Sequence, residues 1–237
     1  MNANYLIAEI PIYMNPRFSP LTERSRAYRT KESVPALMDL TLPDNVYQDY
    51  HRRFPEARDS LIEYMATGAG FYAGILMHQG LLLHASAVVV DGFAYLFSAS
   101  SGVGKSTHTS LWLEEFPNAF ILNDDKPAIR ILPDGIFAYG TPWSGKSDLN
   151  RNCKVPLKGI AFIERSDHNE MTPLPAKNIL LPFMEQTVRP KDPILAPLML
   201  DHIDTIIQRV PIYRLYCLPN RDAARLAYSV MKEGFVK

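Results

Sequence analysis

Leu81-Leu82-Leu83-His84-Ala85-Ser86-Ala87-Val88-Val89-Val90, then Asp91-Gly92, then Phe93-Ala94-Tyr95-Leu96-Phe97-Ser98-Ala99-Ser100-Ser101-Gly102-Val103-Gly104-Lys105-Ser106-Thr107 is the stretch that decides the fold. Leu81–Val90 is apolar and ends β-branched. Asp-Gly between two such runs is a two-residue hairpin turn, because both central positions of that turn require positive φ. Phe93–Ser98 is the returning strand. It runs into a loop of small residues and then into Gly-Lys-Ser-Thr, in the order strand, phosphate loop, helix. In doubly wound nucleotide folds the neighbours of the loop strand are parallel and are reached by helical crossovers. An antiparallel partner directly before the loop strand predicts an α/β domain built on a mixed sheet.

The loop has a specific physical use. Backbone N–H groups of Ser100, Ser101, Gly102, Val103, Gly104, Lys105, Ser106 and Thr107 would face the phosphates of a nucleotide, assisted by the positive end of the following helix. Lys105 would reach the outer phosphates, and the Ser106 hydroxyl would ligate Mg²⁺. The full motif has Gly six positions before the Lys, where this chain has Ala99. Downstream, Phe120–Leu122 reads as a short buried strand ending in Asn123-Asp124-Asp125. Such residues favour turns in any case. Beside a phosphate loop, one carboxylate can hold Mg²⁺ while the other takes the proton of an acceptor hydroxyl. In an apolar strand a lone His is ordinarily a packing residue, but hairpin register puts His84 across from Ala99, close to the phosphates. Lys146, in the loop Gly140–Lys146, and Arg151 beyond it are cations available either to a γ-phosphate or acceptor or to solvent.

The rest of the chain is read around this centre. Tyr5–Ile12 reads as an edge strand. Pro16–Pro35 is polar and basic, either a mobile loop or an acceptor-binding surface. Pro43–Arg53 and Glu56–Ala66 read as helices, the second with Leu61, Ile62, Met65 and Ala69 inward and Gly68 and Gly70 ending it. Phe71–His78 reads as helix. Ala128–Leu132 and Ile136–Tyr139 form a second hairpin, and Leu157–Glu164 is a possibly central strand. Met184–Thr187 and Leu195–Gln208 are helical, with Leu198, Leu200, Ile203, Ile206 and Ile207 as core. Ile212–Leu218 is a strand, and Asn220 caps a last helix from Arg221 to Lys232. The prolines cluster before residue 60 and again from Pro173 to Pro219, while Phe71–Asp125 has only Pro117, so that middle is the regular core. This divides the chain into an N-terminal extension, 1–70, packed on a domain of 71–237.

The chain has 237 residues with 25 Lys+Arg against 25 Asp+Glu, so charge offers no reason to expect a nucleic acid or an anionic membrane as partner. Its two cysteines, Cys153 and Cys217, exclude a disulfide scaffold and a thiolate zinc site, and are expected as buried thiols. Met1–Met14 lacks the features of a signal peptide, and no apolar run is long enough to span a bilayer. The expected location is cytoplasmic.

Leu83-His84-Ala85, Asp91-Gly92, Ser100–Thr107 and Leu122-Asn123-Asp124-Asp125, in that order and spacing, resemble the catalytic domain of HPr kinase/phosphorylase over roughly residues 80–165. The resemblance implies the phosphoenolpyruvate carboxykinase-like P-loop fold and an ATP- and Mg²⁺-dependent phosphotransferase acting on a serine or small-molecule hydroxyl. It implies Lys105 as the phosphate-binding lysine, Ser106 as Mg²⁺ ligand, Asp124 and Asp125 as the metal and acceptor-activating acids, and His84 as the active-site histidine. An oligomer is compatible with it. Thr107 stands where that family usually carries Glu. Two other readings stay open: a nucleotide-binding regulatory or maturation protein without phosphotransfer, and a carboxykinase-type enzyme.

Overall fold

The computed structural model describes residues 1–190 and 192–234. Lys191 and the last three residues, part of the expected 71–237 domain, lie outside the described residues.

The core is a curled mixed sheet. Strands β5 (Ala85–Val90) and β6 (Phe93–Ser98) form the expected hairpin, with Val90 opposite Phe93 and Ala85 opposite Ser98. Asp91 and Gly92 both have positive φ, 51° and 79°, as the tight turn demands. Helix α4 (Lys105–Glu115) follows the loop, and β7 (Phe120–Asn123) follows the helix. β7 pairs antiparallel with β5, so it runs parallel to β6 with β5 between them. On the other side of β6, the long strand β10 (Lys154–Arg165) pairs parallel, and β12 (Ile212–Cys217) pairs parallel with β10. β11 (Glu170–Pro173) completes that edge antiparallel to β12. β10 is therefore central, as expected.

The first residues of β10 leave this arrangement and pair antiparallel with β9 (Gly135–Tyr139), which pairs with β8 (Ala128–Leu132), which pairs with β4 (Gly80–Leu82). Here the structure corrects the sequence. Leu81–Val90 is not one strand. It breaks at Leu83–His84, because β4 bonds to β8 while β5 bonds to β6 and β7. At the break the Leu83 and Ala85 amides are taken by Pro127 and Asp125 carbonyls, and the His84 amide by Gln186. An apolar run looks the same whether it serves one sheet neighbour or two.

Alternation explains why these strands read as continuously apolar. Val88, Val90, Tyr95, Phe97, Ala161 and Ile163 pack on Trp112 of α4 and on Ala223, Ala224, Ala227 and Met231 of α7 (Arg221–Glu233). Ala87, Val89, Ala94, Leu96, Ile160 and Phe162 face the other way, onto Phe183 of α5 (Leu180–Gln186) and Met199, Ile203 and Ile206 of α6 (Leu195–Arg209). A sheet covered on both faces has no polar face to betray its period. Leu200, expected in the core of α6, is exposed. Asn220 caps α7 through the Ala223 amide at 3.0 Å.

The N-terminal segment is more ordered than its composition suggests. β1 (Tyr5–Ile7) and β2 (Ile10–Tyr13) form a hairpin, and β3 (Met38–Asp39) pairs with β2, making a separate three-stranded sheet in place of one edge strand. Residues 16–35 are not without regular structure. They contain α1 (Leu21–Arg24) and a 3-10 turn, with Leu21 and Tyr28 fully buried. After α2 (Asp44–Arg53), helix α3 (Asp59–Gly74) runs unbroken through Gly68 and Gly70, across the expected boundary at residue 70. Gly68 does not end the helix; it lets Trp143 approach, and a Cβ there would meet the indole at 3.0 Å. The inward face of α3 is also not the expected one. Leu61, Met65 and Ala69 are exposed, while Ile62, Glu63, Thr67, Gly68 and Phe71 are buried. Glu63 accounts for the shift: its carboxylate accepts the backbone amides of Arg17 and Phe18 at 2.8 and 2.9 Å. Both cysteines are free, Cys217 buried and Cys153 half-buried. Among the described residues no helix is long and apolar enough to cross a membrane.

Candidate functional site

The C-terminal ends of β6 and β7 and the N-terminal end of β5 meet at one edge of the sheet, and the candidate residues collect there. They line an open cleft of about 700 Å³ that includes His84, Ser101, Gly102, Gly104, Lys105, Ser106, Thr107, Asp124, Asp125 and Lys146.

The loop has the backbone needed to cradle an anion. Gly102 and Gly104 adopt φ of 82° and 125°, values closed to most side chains. Ala99 is not among the positive-φ residues, so the missing motif glycine costs no strain; its side chain is buried in the core. Gly104 caps α4 without a side chain, and the first turn of α4 has no acidic residue. The free amides and positive pole of α4 are thus left to a ligand. Lys105 is buried and folds over its own loop, donating from Nζ to the Ala99 carbonyl at 2.8 Å. Burial lowers its pKa, partly offset by the attraction of Asp125. Ser106 and Thr107 are exposed on the cleft side. Ser100 and Val103 do not line it: the Ser100 carbonyl accepts the Val103 amide inside the loop, and Val103 turns to the opposite side of α4.

The two aspartates are presented by an Asn turn. Asn123 accepts the amides of Asp125 and Lys126 at 2.9 and 2.7 Å, and its Nδ2 donates to the Thr141 carbonyl. Asp124 and Asp125 then diverge. Asp124 is buried and accepts the Ser86 hydroxyl at 2.6 Å, while Ser86 is itself 2.7 Å from the Thr109 hydroxyl of α4. Asp125 is half-buried; its Oδ1 lies 3.2 Å from His84 Nε2 and 3.0 Å from Lys126 Nζ. Burial pushes the Asp125 carboxyl up, but hydrogen bonds from His84 and Lys126 and their charges outweigh it, and its pKa falls below the ordinary carboxylate value.

His84 sits one residue beyond the Ala85–Ser98 pair, as register predicted, and the Ser98 hydroxyl donates to its carbonyl at 2.8 Å. Its Nδ1 pairs with the Gln186 side chain at 3.0 Å, and its backbone amide bonds to the Gln186 carbonyl at 2.7 Å. Gln186, at the end of α5, carries no local sequence signal. Ser86, Thr109 and Lys126 were equally unmarked, since Ser and Thr in a strand and a helix are usually solvating or packing residues.

The far wall is the loop after β9. Gly145 has φ 69°, and a Cβ there would meet Asp125 Cβ at 2.8 Å, so only glycine lets the loop close on the aspartate. The Gly145 amide donates to Tyr64 Oη at 3.1 Å, and Arg24 reaches both Tyr64 Oη at 3.1 Å and Asp148 at 2.6 Å. The basic segment 16–35 thus braces this loop. Lys146 is exposed in the cleft; Arg151 instead stacks on Phe120, 4.3 Å from the ring centroid.

For Mg²⁺ the donor set is compatible. No group of three or more His, Cys, Asp or Glu forms a metal cage among the described residues. Magnesium in nucleotide sites characteristically takes one or two protein oxygens and completes its shell with phosphates and water. Ser106 and Asp124, which both line the cleft, could supply oxygens of that kind.

No protein-family model and no curated protein matches this chain. Among solved structures, the HPr(Ser) kinase/phosphatase from Coxiella burnetii is similar with a TM-score of 0.38 and 13% sequence identity, over 64% of this chain and 88% of that one. At that level of similarity the chemistry has to be read from the cleft itself.

Proposed function

We propose that this protein is a P-loop phosphotransferase of the phosphoenolpyruvate carboxykinase-like type, moving the γ-phosphoryl group of ATP to a hydroxyl acceptor with Mg²⁺. The observation that carries the reading is the convergence of an uncapped glycine loop, Lys105, and the Asp125–His84 pair on one cleft. The loop amides and Lys105 hold the β- and γ-phosphates. Ser106 and Asp124 would hold the metal, which would neutralise phosphate charge. Asp125, kept ionised by His84 and Lys126, accepts the proton of the acceptor hydroxyl as its oxygen bonds to the γ-phosphorus and the bond to the β-phosphate bridging oxygen breaks. Lys146, exposed in the same cleft, would meet the transferred group. The acceptor is a serine hydroxyl or a small-molecule alcohol.

The test is twofold. Millimolar Mg·ATP should stabilise the folded protein by about 2–3 kcal/mol at a hundredfold excess over Kd. Label from γ-labelled ATP should pass to a hydroxyl acceptor. Absence of any stabilisation in a folded sample would sink the reading. Stabilisation without transfer to serine peptides or alcohols, or to water, would favour a nucleotide-responsive binding protein, a reading motivated by Thr107 standing exposed where the resemblance expects an acid.

A further inference from the structure

The loop after β9 closes on the two aspartates at two points. At Gly145 it comes so near Asp125 that a Cβ there would meet Asp125 Cβ at 2.8 Å and Oδ2 at 3.3 Å. Four residues on, the Leu149 carbonyl accepts the Asp124 amide at 3.1 Å, and Asn150 forms a β-bridge with Asn123. Ser147 is the midpoint of this span. Two residues of fully extended chain reach about 7 Å, so the Ser147 Cα lies within that distance of both anchoring residues. Ser147 accordingly lines the cleft together with Lys105, Ser106, Asp124 and Asp125.

The span is held in place around Ser147. The Gly145 amide donates to Tyr64 Oη, Asn150 Nδ2 donates to Ser144 Oγ at 3.1 Å, and Arg24 pairs with Asp148 at 2.6 Å. Gly145 and Asp148 have φ of 69° and 59°, which turn the chain sharply on either side. Ser147 itself is exposed and lightly engaged. Its hydroxyl donates to the Ser144 carbonyl at 3.4 Å and lies 3.5 Å from the Leu149 amide, both longer than an ordinary hydrogen bond. The other hydroxyls lining the cleft, Ser101, Ser106 and Thr107, belong to the glycine loop and the first turn of α4, on the side given to the nucleotide.

Building on the phosphotransfer reading, we propose that Ser147 is an acceptor of this site and that the chain phosphorylates itself there. Ser147 Oγ bonds to the γ-phosphorus, the bond from that phosphorus to the β,γ-bridging oxygen breaks, ADP leaves with the electron pair, and the hydroxyl proton passes to Asp125. The product carries a charge of about −1.5 to −2 at pH 7 beside Lys146 and Asp148. It attracts Lys146, opposes the Asp148 carboxylate and competes with it for Arg24, the residue by which segment 16–35 braces this loop. Phosphorylation of Ser147 thus regulates the hold of the N-terminal segment on the cleft.

The experiment incubates the purified protein with Mg²⁺ and γ-labelled ATP and no added acceptor, maps the modified residues by mass spectrometry, and measures ATP binding in parallel by calorimetry. Phosphate should appear on Ser147, with a rate constant unchanged on dilution because the transfer is intramolecular. Ser147→Ala should bind ATP within about twofold of the natural protein and lose at least about tenfold in label. Asp125→Asn should lose about 100-fold in labelling rate, which separates self-transfer from a contaminating kinase. Bound ATP with no phosphate on Ser147 of the natural protein would overturn the proposal while leaving the phosphate-loop reading standing. Undiminished label in Ser147→Ala or in Asp125→Asn, or a rate that scales with protein concentration, would overturn it as well. Failure of ATP to bind would overturn the phosphate-loop reading itself, and the Ser147 proposal with it.

Discussion

His84 Nε2 stands 3.2 Å from Asp125 Oδ1 because β5 lies between β6 and β7. The hairpin brings His84 to the cleft beside the Gly102–Gly104 loop, and the Asn123 turn swings Asp125 back toward β5, where the Ala85 amide bonds to the Asp125 carbonyl at 3.2 Å. Asp125→Asn should lower kcat for phosphotransfer by about 100-fold or more, the ordinary range for a lost proton acceptor, with little change in KM for ATP. Lys105→Ala should lower kcat/KM by about 100-fold. Steady-state kinetics at saturating Mg²⁺ decide it, and unchanged turnover in both variants would remove the cleft from the chemistry.

Gly145→Ala should reach the same site from the loop. The new methyl would crowd Asp125 Cβ at 2.8 Å, and a side chain at φ 69° costs about 1–2 kcal/mol. The expected result is a modest loss in denaturant stability together with a drop in kcat. Full activity in the variant would show that the loop need not close on Asp125.

Glu63→Ala tests the anchoring of the N-terminal segment. It leaves the Arg17 and Phe18 amides without their acceptor and removes the partner of Tyr47 Oη at 3.4 Å. Stability should fall by about 2–4 kcal/mol. Glu63→Gln, which retains one acceptor oxygen, should lose less. Equal losses in the two variants would mean that one acceptor oxygen is not enough and that both carboxylate oxygens, or their charge, are required there.

Stability should also depend on pH through His108. Burial lowers its pKa from 6.5 to about 4, so the unfolded chain binds the proton first as pH falls. The contribution of the neutral ring is complete above pH 6.5 and is lost as pH falls from 6.5 toward about 4. In His108→Phe, urea unfolding across that interval should show a shallower acid slope than the natural protein. An identical slope would show that His108 titrates alike in both states.

What was legible in the sequence follows from how local each signal is. Asp91-Gly92 demanded a turn that only a hairpin accommodates, and the register of that hairpin was enough to place His84 beside the loop. Asn220 and its helix were equally local. The split of Leu81–Val90, the uninterrupted α3 and the ordered segment 16–35 were not legible. Each depends on a distant partner: β8 for the first, Trp143 for Gly68, and Glu63 for the amides of Arg17 and Phe18.

By itself, then, the sequence determined the hairpin, the glycine loop before α4 and the carboxylates that follow β7, because backbone conformation and strand period are set by neighbours along the chain. Tertiary structure alone decided that Asp124 and Asp125 part company, one held by Ser86 and the other by His84. It alone brought Gln186 to His84 and left His108 Nδ1 buried with no hydrogen-bond partner among the described residues. The physical reason is that burial and hydrogen-bond pairing are properties of the packed chain: the same carboxylate or imidazole acquires its chemistry only from the groups that folding places against it.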